Sequence, residues 1–159
     1  MDEFVDGNHP ERVFMRTYLL LLLLFITPLK AEIYNIGELD LASHKGKVVY
    51  LDFWASWCKP CRESFPWMNG LLDKYPADKF TVITINLDSE ASEMHRFLDK
   101  IPGRFDIYHD ASGSFAEKFQ LEAMPTSYLI DASGKVVRKH IGFYGSKTGE
   151  YEHEIEELL

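Results

Sequence analysis

The chain has 159 residues, with 17 basic against 25 acidic side chains and a net charge of −8. That length suits one domain able to bury a core without staples. An acidic chain without basic runs is a poor match for nucleic acid or for an anionic membrane surface.

The first stretch reads as a leader. Met1 to Met15 contains Asp2, Glu3, Asp6 and Glu11, unlike the positive region that precedes an export signal. Met15-Arg16-Thr17-Tyr18 is the better start, and residues 1–14 are set outside the fold. Leu19 to Leu24 are six consecutive leucines, extended by Phe25 and Ile26. The apolar run from Tyr18 to Leu29 would span roughly 18 Å as a helix, short of the ~30 Å hydrocarbon core. With Arg16 before it and Ala31 as a cleavage position after it, the layout is that of a secretory signal. The expected division is therefore a leader over 1–31 and one domain over 32–159, exported to the periplasm or cell envelope. An uncleaved leader would make it a membrane anchor. The domain after Ala31 carries 14 basic and 21 acidic residues, a net charge of −7.

Residues 32–46 form a short approach, with Gly37 and a Gly46-Lys47 turn. Lys47-Val48-Val49-Tyr50-Leu51-Asp52-Phe53-Trp54 is β-branched and aromatic and predicts a buried strand. It runs into Ala55-Ser56-Trp57-Cys58-Lys59-Pro60-Cys61, which holds both cysteines of the chain. Phe65, Met68, Leu72 and Tyr75 then recur at helical spacing. Pro66, inside this helix, predicts a kink. Cys58 thus falls where a helix begins, beside orphan backbone N–H groups and the positive end of the helix dipole. Both favour a thiolate. Pro60 falls in the first turn, where its missing N–H costs nothing.

Other uses of two cysteines fit less well. A structural disulfide closing so small a loop gives only about 2 kcal/mol. A zinc site needs four ligands, and His9, His44, His95, His109, His140 and His153 are scattered along the chain. Inert core cysteines do not explain the flanking Trp54 and Trp57 or the strand-to-helix position. A redox dithiol is the reading that uses all these features.

Further along, Phe80 to Leu87 predicts a second strand, and Asp88-Ser89 can cap a helix carrying Met94, Phe97, Leu98 and Ile101. Phe105 to Tyr108 is a short strand. Ser114 and Glu117 can form a capping box for a brief helix bearing Phe115 and Phe119. Thr126–Ile130 and Lys135–Ile141 are strands joined by Asp131-Ala132-Ser133-Gly134, an antiparallel hairpin. From Ser146 a last helix carries Tyr151, Ile155, Leu158 and Leu159 on one stripe, with its glutamates mostly in water. Alternating strands and helices imply an α/β fold, its sheet largely parallel with helices on its faces.

Trp54-Ala55-Ser56-Trp57-Cys58-Lys59-Pro60-Cys61, together with Met124-Pro125-Thr126 and Gly142, resembles the signature of thioredoxin-fold proteins. Among them it is most similar to the exported TlpA/ResA-like thiol–disulfide oxidoreductases. The resemblance implies a thioredoxin-like fold with a central mixed sheet and an αβ-type insertion around residues 88–101. It makes Met124-Pro125-Thr126 a cis-proline loop that presents backbone to an extended substrate beside Cys58, with Trp57 and Pro60 shaping the same surface. It makes Asp52, on a buried strand, a proton acceptor for Cys61; burial raises a carboxyl pKa toward the range such a role needs. Many ResA-like relatives place a glutamate three positions after the second cysteine. Here Ser64 stands there and Glu63 lies one position earlier, which favours Asp52 for the role and leaves Glu63 in solvent.

The implied chemistry is attack by Cys58 on a substrate disulfide and resolution of the mixed disulfide by Cys61. No cofactor is expected beyond the Cys58–Cys61 pair itself: no metal, flavin or nucleotide. Expected partners are protein or peptide thiols and disulfides, apocytochrome c among them, and a membrane electron donor; the protein itself is expected to be a monomer. Two alternatives stay open: a dithiol oxidase using the same residues, and a metal chaperone using Cys58, Cys61 and a histidine. Copper chaperones on related folds space their cysteines by three residues, unlike this chain. A peroxidase would need an isolated peroxidatic cysteine.

Overall fold

The computed structural model describes residues 32–159; the expected leader over 1–31 and its expected cleavage position lie outside the described residues. Six strands build one sheet: β1 (Ile33–Asn35), β2 (Val48–Trp54), β3 (Phe80–Asn86), β4 (Asp106–His109), β5 (Thr126–Ile130) and β6 (Val136–Ile141). Their spatial order is β1-β4-β3-β2-β5-β6. β1, β4, β3 and β2 run parallel, whereas β5 and β6 are antiparallel to their neighbours. Among the described residues four α-helices pack on this sheet: α1 (Lys59–Lys74), α2 (Ala91–Leu98), α3 (Ser114–Lys118) and α4 (Thr148–Glu156).

β2 is the axis of the sheet. All seven of its residues are buried, as expected of a strand paired on both edges and covered on both faces. Strand alternation sorts its side chains. Val48, Tyr50 and Trp54 join α1, α2 and α4 in one apolar layer that also contains Cys58, Cys61, Phe65, Met94, Phe97 and Ile155. Val49, Leu51 and Phe53 face the other layer, with Ala116, Phe115 and Phe119 from around α3. Phe65 is fully buried, its ring 4.7 Å from Trp54, 4.9 Å from Phe97 and 5.2 Å from Phe105. β6 closes the far edge with Arg138 and Lys139 exposed, one on each face of the strand, charges that discourage edge-to-edge pairing.

The predicted strands and helices are present, with differences that have physical causes. α1 continues through Pro66 to Lys74. β1 is an addition to the expected strands: three residues carry no period, and the strand exists through its parallel pairing with β4. The Asp88-Ser89 cap is not formed; Glu90 is the residue before α2 and makes no capping bond. Asp88 turns the other way, toward the cysteine loop. The capping box of Ser114 and Glu117 is likewise absent. The carboxylate of Asp110 accepts the N–H groups of Phe115 and Ala116 instead, at 2.9 and 3.0 Å. The last helix starts two residues later than predicted, after a 3₁₀ turn over Gly145–Lys147. Glu152 is not merely solvated: it accepts from Trp67 Nε1 at 3.0 Å and from Lys74 Nζ at 2.7 Å, tying α4 to α1.

Candidate active site

The end of β2 passes through Ala55-Ser56-Trp57 into α1, and Cys58 is the residue that caps the helix. Its N–H donates to Ala55 O at 3.0 Å, which tightens the turn, and its Sγ accepts from the N–H of Cys61 at 3.3 Å. Cys58 and Cys61 are joined as a disulfide. Neither sulfur stands free of the core: Cys58 is 3% exposed and Cys61 0%, whereas Trp57 is 66% exposed. The surface of the loop is therefore Trp57, with Cys58 just beneath it. Lys59 and Glu63 are exposed and Pro60 is half-buried. Ser64 is buried, its hydroxyl donating to Cys61 O at 3.0 Å.

Asp52 is 2% exposed and lies in the middle of β2. Alternation puts its side chain on the same face as Tyr50 and Trp54, the face covered by α1. Its Oδ2 has no hydrogen-bond partner among the described residues, and loss of solvent pushes its pKa well above the ordinary carboxyl range. Tyr50 shares this setting. Its hydroxyl donates to Ser127 Oγ at 2.7 Å, and burial first, then the charge of Asp52, raise its pKa. A buried carboxyl without a partner is costly, and such groups cluster at sites that exchange protons.

The Met124–Pro125 peptide bond is cis. Thr126 opens β5 opposite Phe53, which brings Pro125 and Met124 to the sheet end where Ala55–Cys58 leave β2. The segment is held by Thr126 Oγ1 donating to Ala123 O at 2.6 Å and by Gly142 N donating to Pro125 O at 2.8 Å. Met124 packs against the apolar layer that contains both cysteines. A cleft of about 620 Å³ runs between Trp57 and Met124 and is walled by Leu87, Ala116 and Leu121. The predicted residues therefore gather at one end of the sheet, while Asp52 lies below it in the core.

Sequence reasoning missed the group that fixes the cysteine loop. Asp88 is 1% exposed. Its carboxylate accepts from Ser56 N at 3.1 and 3.0 Å, from Ser56 Oγ at 2.9 Å and from Asn86 Nδ2 at 2.8 Å. The ring of His109 bonds Asp88 O through Nε2 at 2.7 Å. The available signal was Asn86-Leu87-Asp88, two polar residues of one strand face running past the end of β3. Among the described residues, no group of three or more His, Cys, Asp or Glu side chains gathers in a way that could hold a metal ion.

Comparison with known proteins agrees with this geometry. Residues 26–139 match the AhpC/TSA family. The chain is similar to the thiol-disulfide oxidoreductase ResA of Bacillus thuringiensis subsp. konkukian, 33% identical over 122 residues, covering 77% of this chain and 67% of that protein. It is also similar to the thioredoxin-like protein YneN of Bacillus subtilis, 37% identical over 74% of this chain and 69% of the relative. Among solved structures, one assigned as a thiol:disulfide interchange protein DsbE from Chlorobium tepidum superposes with a TM-score of 0.73 at 42% identity. It covers 76% of this chain and 85% of its own. The pneumococcal exposed lipoprotein thioredoxin Etrx1 gives a TM-score of 0.64 at 29% identity, over 74% of this chain and 90% of its own.

Proposed function

The chain belongs to the AhpC/TSA family and is a ResA-like thiol–disulfide oxidoreductase, and from that premise we propose that it works outside the cytoplasm as a reductant of protein disulfides. Cys58 is the nucleophile. Its thiolate attacks one sulfur of a substrate disulfide and the other sulfur leaves as a thiolate. The Cys61 thiol then gives up its proton and attacks Cys58 Sγ, releasing the second substrate sulfur. Two electrons pass to the substrate and the protein is left as its Cys58–Cys61 disulfide. Asp52 is the acceptor for the Cys61 proton, and the Met124-Pro125-Thr126 segment with Trp57 and Pro60 receives the substrate chain. The substrates are protein or peptide disulfides, with apocytochrome c one expected class, and a membrane electron donor restores the dithiol.

The observation that carries the direction is the buried carboxyl of Asp52, without a hydrogen-bond partner on Oδ2 and on the face covered by the helix that bears Cys61. Burial makes this carboxyl reluctant to ionise, and when it does ionise, as it must to take the Cys61 proton, its charge opposes a thiolate above it, which favours surrendering electrons. Lys59 and Arg62 act in the opposite sense, but both are exposed, and solvent screens them. The order of attack is tested by trapping. Cys61→Ser accumulates a mixed disulfide with a substrate, seen as an added mass on a non-reducing gel or by mass spectrometry, and Cys58→Ser accumulates none. Equal trapping by both variants refutes the assignment.

A further inference from the structure

Trp57 lines a second hollow besides the apolar cleft toward Met124. It is a groove of about 260 Å³ between the start of α1 and α2, the helix of the insertion. Three cations border it, Arg62, Arg96 and Lys100, against one carboxylate, Glu93, with the buried ring of Phe97 behind them. The cations are poorly neutralised. Arg62 donates through Nη2 to Ser56 O at 3.1 Å and lies 5.7 Å from the centre of the Phe97 ring, so its fork is held in place with most of its donors unspent. Arg96 meets Glu93 only at 3.4 Å, with side chains 71% and 43% exposed, a pair that water largely screens. Lys100 enters no ion pair among the described residues.

A local excess of positive charge stands out on a domain whose net charge is −7. The cleft on the Met124 side has no such excess: its lining includes Glu117 and Glu122 and no cation, and Glu122 is paired with Lys139 at 2.8 Å. The two hollows meet at Trp57, the residue before Cys58, so a polypeptide laid across Cys58 would meet an excess of positive charge on one side only. Such asymmetry selects partners and sets their direction.

We propose that the groove of Arg62, Arg96 and Lys100 receives a carboxylate side chain of the polypeptide whose disulfide meets Cys58, so that the protein prefers half-cystines with an acidic residue close by. This rests on the reading that Cys58 reacts with polypeptide disulfides, and it gives the insertion a task, since α2 and the turn after it supply Arg96 and Lys100.

The test uses the reduced protein and three synthetic peptide disulfides that carry Glu, Gln or Lys two residues from the half-cystine, on either side. Exchange with Cys58 is followed by stopped-flow tryptophan fluorescence at low salt. The Glu peptide is expected to react about fivefold faster than the Gln peptide and the Lys peptide more slowly than both, as for exposed ion pairs that steer an encounter. In about 0.5 M salt the ratios should fall toward one, and in Arg96→Gln/Lys100→Gln the low-salt ratios should do the same. Equal rates for the three peptides overturn the proposal, as does a preference that survives in the double variant. A reduced dithiol reacts with these peptides whichever direction the protein serves, so the reductant reading is judged separately, by the potential of the pair.

Discussion

Replacing Asp52 by asparagine removes a titrating group from the core while keeping the shape of the side chain. Asp52 is 2% exposed, its Oδ2 is unpartnered, and desolvation raises its pKa well above the usual value. In the unfolded chain the same carboxyl titrates at about 3.9. Between that pH and its folded pKa, the native state holds a proton that the unfolded state has released. The folded protein therefore loses stability as pH rises through this window, by about 1.4 kcal/mol per pH unit. The asparagine variant has no such dependence. Its amide carries donors that find no more partners than the carboxyl did, a pH-independent cost of about 1–3 kcal/mol. The test is consequently the slope. Urea unfolding of both oxidised proteins at several pH values between about 4 and 9 should give a stability difference that moves in favour of Asp52→Asn by about 1.4 kcal/mol per pH unit. The difference then flattens at the folded pKa of Asp52. Other titrating groups are common to both proteins and cancel. Parallel pH profiles would refute the reasoning, because they would mean that Asp52 keeps its ordinary pKa in the fold.

Asp88→Ala strips the loop of its anchor, freeing Ser56 N–H, Ser56 Oγ and Asn86 Nδ2 in a region that is largely buried. Urea unfolding should show a loss of about 2–3 kcal/mol, accompanied by slower exchange at Cys58; a loss below about 0.5 kcal/mol would mean that water replaces the carboxylate. The proposed export is checked by the mass of the protein isolated from the cells that make it. The expected species begins at Glu32, and one that retains the segment from Met15 to Ala31 would identify an anchored form instead.

What the sequence made legible follows from how local each signal is. The buried run Val48–Trp54, the helix that follows it and the Cys58–Cys61 spacing are each contained within a few residues, and the structure bears each of them out, along with the hairpin of β5 and β6 and the burial of Asp52. The cis bond before Pro125 came through the resemblance carried by Met124-Pro125-Thr126, since nothing in the local composition specifies it. Failures occurred where a polar residue had two possible partners. Asp88 has the type and position of a helix cap, yet it bonds Ser56, 32 residues away in the chain. Asp110 displaced Ser114 and Glu117 from a cap they could have formed between themselves. Such choices are settled by which backbone donors the fold brings near a carboxylate, and that is long-range information. The groove of Arg62, Arg96 and Lys100 was invisible for the same reason, because α1 and α2 are separated by a whole strand.

Whether the Cys58–Cys61 pair gives electrons away is decided by its reduction potential. Equilibration of the pair against dithiothreitol and glutathione buffers gives the potential, and ultraviolet absorbance of the reduced protein gives the pKa of the Cys58 thiol. The expected potential is nearer that of thioredoxin, about −270 mV, than that of the oxidase DsbA, about −120 mV. A value above about −150 mV, with a thiol pKa of about 4, would contradict it and make the protein a dithiol oxidase.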